Sequence, residues 1–216
     1  MSARAFVIGA GLSGLCAATR LARKGADVVL VEAAPQAGGR CRSYFDAALG
    51  MVIDNGNHLV LSGNRAVRDY VAGVGAAQAL VGPRRAKFDF ADLAGGARWT
   101  LKPSEGVLPF WVLQPMRRVP GTAAKDYAAY LPLLWAGKKA RVADCVPVTG
   151  PLWDRLMRPF LLAALNTEPE DSSAALAGAL LRETLARGGR HYRPRVAHPT
   201  LAAAFVDPAL SLLATC

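Results

Sequence analysis

The chain has 216 residues, 52% of them apolar, and a formal net charge of +10; this is enough apolar material for one large domain or two small ones. Its basic residues are scattered, with small clusters at Arg84-Arg85, Arg117-Arg118 and Lys138-Lys139, no long basic run and no basic strand interleaved with aromatics, which speaks against nucleic acid as a partner. The four cysteines Cys16, Cys41, Cys145 and Cys216 lie far apart with no CxxC pair, which speaks against a metal centre and against a disulfide framework.

The first element is a strand, Ala5-Phe6-Val7-Ile8, and it leads at once into Gly9-Ala10-Gly11-Leu12-Ser13-Gly14. A helix follows from about Leu12 to Lys24, with Leu15, Ala18, Leu21 and Ala22 recurring at helical spacing and Gly25 as its stop. Each glycine has a mechanical task. Gly9 allows the tight strand-to-helix turn, Gly11 lets a pyrophosphate approach the backbone, and Gly14 lets the helix pack on the sheet. Ser13 lies in the same loop, where the helix N-terminus turns free N–H groups toward an anion. The second strand, Val28-Val29-Leu30-Val31, ends on Glu32. An acid at that place suits a ribose hydroxyl and disfavours a 2′-phosphate, which argues against NADP in this pocket. Strand, glycines, helix, second strand and acid in register read as a site for the ADP half of a dinucleotide. The chain starts directly with a strand and has no signal peptide, so a cytoplasmic location is expected.

Gly38-Gly39-Arg40, just after Glu32, resembles the second signature of FAD-dependent amine oxidases and carotenoid-type desaturases. The resemblance implies FAD as the cofactor, with the glycine pair passing close to it and Arg40 reaching its phosphates. A forked guanidinium suits phosphate oxygens. Arg42 and Ser43 stand in the same region, Arg42 equally well as a solvated charge. After the apolar Met51-Val52-Ile53, the segment Asp54-Asn55-Gly56-Asn57-His58 resembles the Asp-x-Gly-x-His stretch that passes near the flavin ring in phytoene-desaturase-like enzymes. Gly56 and Asn57 would then lie against the cofactor. His58 is the candidate acid, with Asp54 the lesser one, and the alternative for His58 is a hydrogen-bonded structural histidine. Two further segments, Arg117-Arg118-Val119-Pro120-Gly121 and Pro159 through Glu168, bring the pattern close to the hydroxysqualene dehydroxylases of bacterial hopanoid synthesis. The resemblance implies reductive removal of a hydroxyl from a polyisoprenoid, giving squalene. A carotenoid or phytoene desaturase and a non-catalytic nucleotide-binding remnant stand as alternatives.

Further along, Tyr44 to Asp54 reads as two short strands turning near Leu49-Gly50, and Asn64 caps a helix to about Gly73 with Val67, Tyr70 and Val71 inward. Lys87 to Asp92 alternates with period two and is answered by Arg98 to Leu101 across Gly95-Gly96, a hairpin signal. Val107 to Gln114 is apolar and aromatic. It reads as a tunnel wall or a membrane-dipping edge with Trp111 at the interface, or as an ordinary buried loop and strand. Thr122 is placed to cap a helix to about Lys138, kinked at Pro132. Thr149 and Pro151 start another, carrying Leu152, Leu156, Phe160 and Leu161 and bent by Pro159. Asp171 or Ser172 opens a third, with Leu176, Leu180, Leu181 and Leu185 on one face and Gly188-Gly189 at its end.

The expected architecture is α/β: a Rossmann-like FAD-binding βαβ unit with a mixed sheet in residues 1–82, and substrate-side sheet and helices in 83–216. No second glycine-rich stretch ending in an acid follows, and the chain stops at Leu212-Leu213-Ala214-Thr215-Cys216, so a truncated or frameshifted copy is expected. The expected partner is a greasy polyisoprenoid with no metal. The net charge reads either as attraction to the inner face of an anionic membrane or as a bias toward arginine.

Overall fold

The computed structural model describes residues 3–56, 59–93 and 95–216. They form two compact units, one of residues 1–82 with 195–216 and one of 83–194. Residues 195–216, expected with the second part, therefore pack with the first.

In the first unit, β1 (Arg4–Ile8), α1 (Leu12–Ala22) and β2 (Asp27–Val31) make a right-sized βαβ start. β1 and β2 run parallel with Arg4 opposite Asp27 and Ile8 opposite Val31. α1 buries Leu15, Ala18, Thr19 and Ala22. The Thr19 hydroxyl donates back to the Leu15 carbonyl at 2.7 Å, which satisfies a polar group on a buried face. Gly25, at φ 81°, ends the helix and donates to the Ala22 carbonyl. β3 (Ser43–Asp46) and β4 (Met51–Asp54) form an antiparallel hairpin. Its turn is held by the Asp46 carboxylate, which accepts from the N–H groups of Ala48 and Leu49.

β5 (Val60–Leu61), α2 (Arg65–Gly73) and β6 (Leu80–Val81) complete the early part of this unit. Asn64 stands at the start of α2, but its side chain makes no capping bond.

The second unit opens with β7 (Phe88–Ala91) and β8 (Arg98–Leu101), an antiparallel hairpin in which Phe90 stacks on Trp99 with ring centroids 5.3 Å apart. Its helical part is α3 (Ala124–Ala128), α4 (Val142–Cys145), α5 (Arg158–Leu165) and α6 (Ala174–Glu183). A single core gathers Leu101, Trp111, Leu133, Trp153, Leu161 and Leu181.

Several elements differ from the sequence expectation. The helix from Thr122 to Lys138 is cut to α3, followed by a 3-10 turn at Leu131–Trp135. α3 ends at Ala128, four residues ahead of Pro132, which has no N–H to bond the Ala128 carbonyl and itself lies inside the 3-10 turn. Thr122 does not cap it: its hydroxyl bonds the Val119 carbonyl, and the Asp126 carboxylate takes the Ala123 N–H instead. A π-helical turn at Trp153–Met157 precedes α5 and absorbs the missing N–H of Pro159 without breaking the run. α6 turns Ala174, Ala177, Gly178 and Leu181 inward and leaves Leu176 outside. The reason is contact distance, since a Cβ on Gly178 would lie 1.9 Å from the Leu133 carbonyl oxygen. Trp111 is buried and meets Tyr127 edge-on at 5.2 Å, so the two-sided segment around it keeps its indole in the core.

The chain then returns to the first unit. β9 (Pro194–Ala197) lies between β5 and β6, pairing antiparallel to β6, and α7 (Asp207–Ala214) follows a π-helical turn at Ala202–Val206. α7 lies against α1. Leu201, Ala204, Phe205, Val206 and Ala209 share a core with Ala10, Leu15, Val71 and Val74. Tyr70 donates its hydroxyl to the Phe205 carbonyl at 2.6 Å, and burial pushes that phenol up to about 12. Among the described residues the strands form four small sheets rather than one continuous mixed sheet.

Candidate nucleotide-binding site

The three glycines of the first loop are explained by three different facts. Gly9 has φ 92°, a conformation that side chains rarely adopt. A Cβ on Gly14 would lie 1.7 Å from the Gly9 carbonyl oxygen, so α1 can sit this close to the loop only with glycine there. Gly11 is the informative one. Its backbone, at φ −70° and ψ 177°, suits any residue, and a Cβ there would meet no atom of the described residues within 4 Å. Among the described residues neither conformation nor packing requires a glycine at that position, and the space they leave in front of it is open.

Gly11 also precedes α1 directly, and no side chain caps that helix end and no acid sits in its first turn. Its leading N–H groups and the positive end of its dipole are left for an anion. Ser13 is exposed on this first turn.

Glu32 reaches back to the same loop. Its carboxylate accepts from the Ala10 N–H at 2.6 Å through one oxygen and from the Ala34 N–H at 2.9 Å through the other. The Ala34 and Ala10 hydrogen bonds hold its carboxyl below the usual carboxylate value. Each oxygen keeps a second lone pair for a hydroxyl donor.

The second glycine pair is brought against the first loop. Gly38 donates to the Ala10 carbonyl at 2.8 Å and bridges Gly11, and a Cβ on Gly39 would touch the Gly11 Cα at 3.5 Å. Gly38 has φ 108° and faces Val206, whose methyl would lie 2.9 Å from a Cβ there. Arg40 is exposed on the short 3-10 turn Gly39–Cys41 and has no carboxylate partner among the described residues. Burial pushes the Cys41 thiol up, which makes it a poor nucleophile beside this turn.

Ser43 and Asp54 are drawn elsewhere. The Ser43 hydroxyl donates to the Asp54 carboxylate at 2.6 Å. Asp54 accepts from the Leu201 N–H at 2.9 Å and Ser43 accepts from the Ala202 N–H at 2.9 Å. Both therefore satisfy the start of the final helical run, a structural duty that their place in the sequence does not suggest. Gly56 ends the described part of this segment; Asn57 and His58 lie outside the described residues.

The support from residues 201–206 was missed from sequence. The available signal was the apolar run Leu201 to Val206 ahead of Pro208, too long and too uniform for a fraying end.

Strand, glycine loop, helix and second strand with its acid define an α/β dinucleotide-binding unit. The chain belongs to the flavin containing amine oxidoreductase family, whose pattern matches residues 12–213. It is 54% identical over 99% of its length to the hydroxysqualene dehydroxylase of Rhodopseudomonas palustris, covering 51% of that protein. To the hydroxysqualene dehydroxylase of Sinorhizobium fredii it is 52% identical over 96% of its length, covering 50% of that protein. The chain thus spans about half the length of the curated relatives it matches. Its fold is that of an oxidoreductase from Methanosarcina mazei, with a TM-score of 0.62 at 16% identity over 98% of this chain and 49% of the other.

Proposed function

We propose that this chain forms the nucleotide-binding part of an FAD-dependent oxidoreductase that acts on a polyisoprenoid, removing the hydroxyl of hydroxysqualene to give squalene. The observation that carries the reading is the open space before Gly11, a glycine that none of the described residues requires. The substrate is inferred from the name of relatives that share about half of its residues.

The chain's own residues have definite tasks in this reading. Gly11 admits the pyrophosphate to the backbone, and the first N–H groups of α1 and the Arg40 guanidinium neutralise it. Glu32, already fixed by two backbone donors, accepts from the ribose hydroxyls. Gly38 and Gly39 let the second loop lie flat against the first. FAD held there and first reduced by an external two-electron donor would supply a hydride. Exchanging a hydroxyl for hydrogen needs that hydride at carbon and a proton on the departing oxygen, which leaves as water. His58 is the residue proposed to hold that proton.

We place the protein in the cytoplasm, peripheral on the inner face of the membrane. Its net charge of +10 and the exposed apolar residues Leu108, Phe110 and Leu113 support this. No helix among the described residues is long and apolar enough to cross a membrane.

The test uses the chain extended to the length of its relatives, purified with added FAD and given hydroxysqualene under reducing conditions. Yellow protein and squalene as product are expected. Well-folded, colourless protein that takes up no FAD overturns the cofactor, and conversion of phytoene instead of hydroxysqualene moves the reading to a desaturase. His58→Ala in that protein should keep FAD and lose about 100-fold or more in turnover; unchanged turnover removes His58 from the reaction.

A further inference from the structure

The second unit contains a cavity of about 470 Å³ lined by Arg84, Arg85, Glu105, Gly106, Arg190 and Arg193. Four guanidinium groups thus face one carboxylate, and that carboxylate is already paired with Arg193. Arg84 and Arg85 have no carboxylate partner among the described residues.

The arrangement is built rather than incidental. The Gly189 N–H donates to the Ser104 carbonyl at 2.7 Å and the Arg190 N–H to that of Glu105 at 3.4 Å. A Cβ on Gly188 would lie 2.3 Å from the Gly106 oxygen, and one on Gly189 would lie 2.8 Å from the Ser104 oxygen. Two chain segments distant in sequence therefore meet backbone to backbone, and the glycines that allow it deliver Arg190 beside Arg84 and Arg85. Arg84 and Arg85, adjacent in the chain and without a carboxylate partner among the described residues, bring positive charge there that an anion would neutralise. Planar forked donors match the oxygens of a phosphate better than those of any smaller anion.

We propose that this cavity binds a phosphate oxyanion. Two sources share that chemistry, an anionic phospholipid headgroup and a soluble diphosphate. The lipid is favoured by the segment next to Gly106, in which Val107, Leu108, Phe110 and Leu113 are all more than half exposed. An apolar segment leaving the rim of a cationic cavity suits a ligand with a charged head and a greasy body. The inference does not depend on the flavin reading, and its test involves no flavin.

The 216-residue chain is titrated calorimetrically with inorganic diphosphate. It is also sedimented with vesicles of phosphatidylcholine alone or of phosphatidylcholine with phosphatidylglycerol. Arg84→Gln/Arg85→Gln and Arg190→Gln are compared with Lys138→Gln/Lys139→Gln, which removes the same charge as the first variant from exposed positions in the same unit. Thermal melts confirm that each variant folds, and Arg190→Gln decides the matter if the double arginine variant does not. Binding to phosphatidylglycerol vesicles should weaken about tenfold or more in the arginine variants and stay near wild type in the lysine variant. Diphosphate binding with the same dependence but no vesicle binding keeps the site and assigns it a soluble ligand. Absence of both, or an equal loss in the lysine variant, overturns the proposal.

Discussion

Gly9, Gly11 and Gly14 are one residue type with three physical causes. Gly9 answers to a positive φ and Gly14 to the Gly9 carbonyl oxygen, whereas none of the described residues accounts for Gly11. The substitutions should separate accordingly. Gly14→Ala forces a Cβ into backbone and should destabilise the chain by about 1–3 kcal/mol or more, read from thermal or denaturant unfolding. Gly11→Val should change stability by less than about 1 kcal/mol, yet weaken FAD binding in the extended protein by about tenfold or more. Equal FAD affinity for wild type and Gly11→Val would show that the open space before residue 11 holds no cofactor. Gly38 combines two of these causes, a φ of 108° and the close approach of Val206, and the second was invisible until residues 195–216 were seen to return.

At the scale of elements, prolines and small residues redraw what periodicity alone suggests. Pro159 and Pro208 each follow a π-helical turn, which at Pro159 keeps the helix continuous where a bend was expected. At Pro132 the run changes instead from α3 to a 3-10 turn that contains the proline, which offers no N–H to the Ala128 carbonyl. In α6, leucines recur at the right spacing, but Ala177 and Gly178 set the buried face because they let the helix approach the Leu133 carbonyl. The last helical run depends on two residues far away in sequence, Ser43 and Asp54, for its first hydrogen bonds. Asp54→Ala should cost about 0.5–2 kcal/mol, the usual value of a lost helix cap. It should also speed protease cleavage between residues 195 and 201, and Asp54→Asn, which keeps an acceptor, should be milder. Cleavage at the wild-type rate in Asp54→Ala would show that the carboxylate does not hold this helix.

At the scale of the whole molecule, the outer face of the β1–β2 pair stands open. Phe6 is 69% exposed and Ile8 89% exposed. Parallel strands are ordinarily covered on both faces, and here α1 covers one. An exposed apolar face of this kind is expected to matter in solution. The 216-residue chain should bind the dye ANS, and Phe6→Ser/Ile8→Ser should reduce that binding with little loss of stability. Extension to the relatives' length should reduce it too. ANS binding unaffected by the double substitution would locate the sticky surface elsewhere.

The sequence by itself determined the first loop, α1, β2 with Glu32, the β3–β4 hairpin and the β7–β8 hairpin. All of these rest on glycines, apolar periodicity and turns that act over a few neighbouring residues, so their cause is written locally. Tertiary structure alone decided that the Gly38 turn seats on Gly11, that Asp54 serves a distant helix rather than the cofactor loop, and that residues 195–216 complete the first unit. It alone drew Arg84, Arg85, Arg190 and Arg193 around one cavity. Each of these depends on groups more than twenty residues apart being brought within hydrogen-bonding or van der Waals reach, and no local pattern encodes which distant partner a side chain will meet.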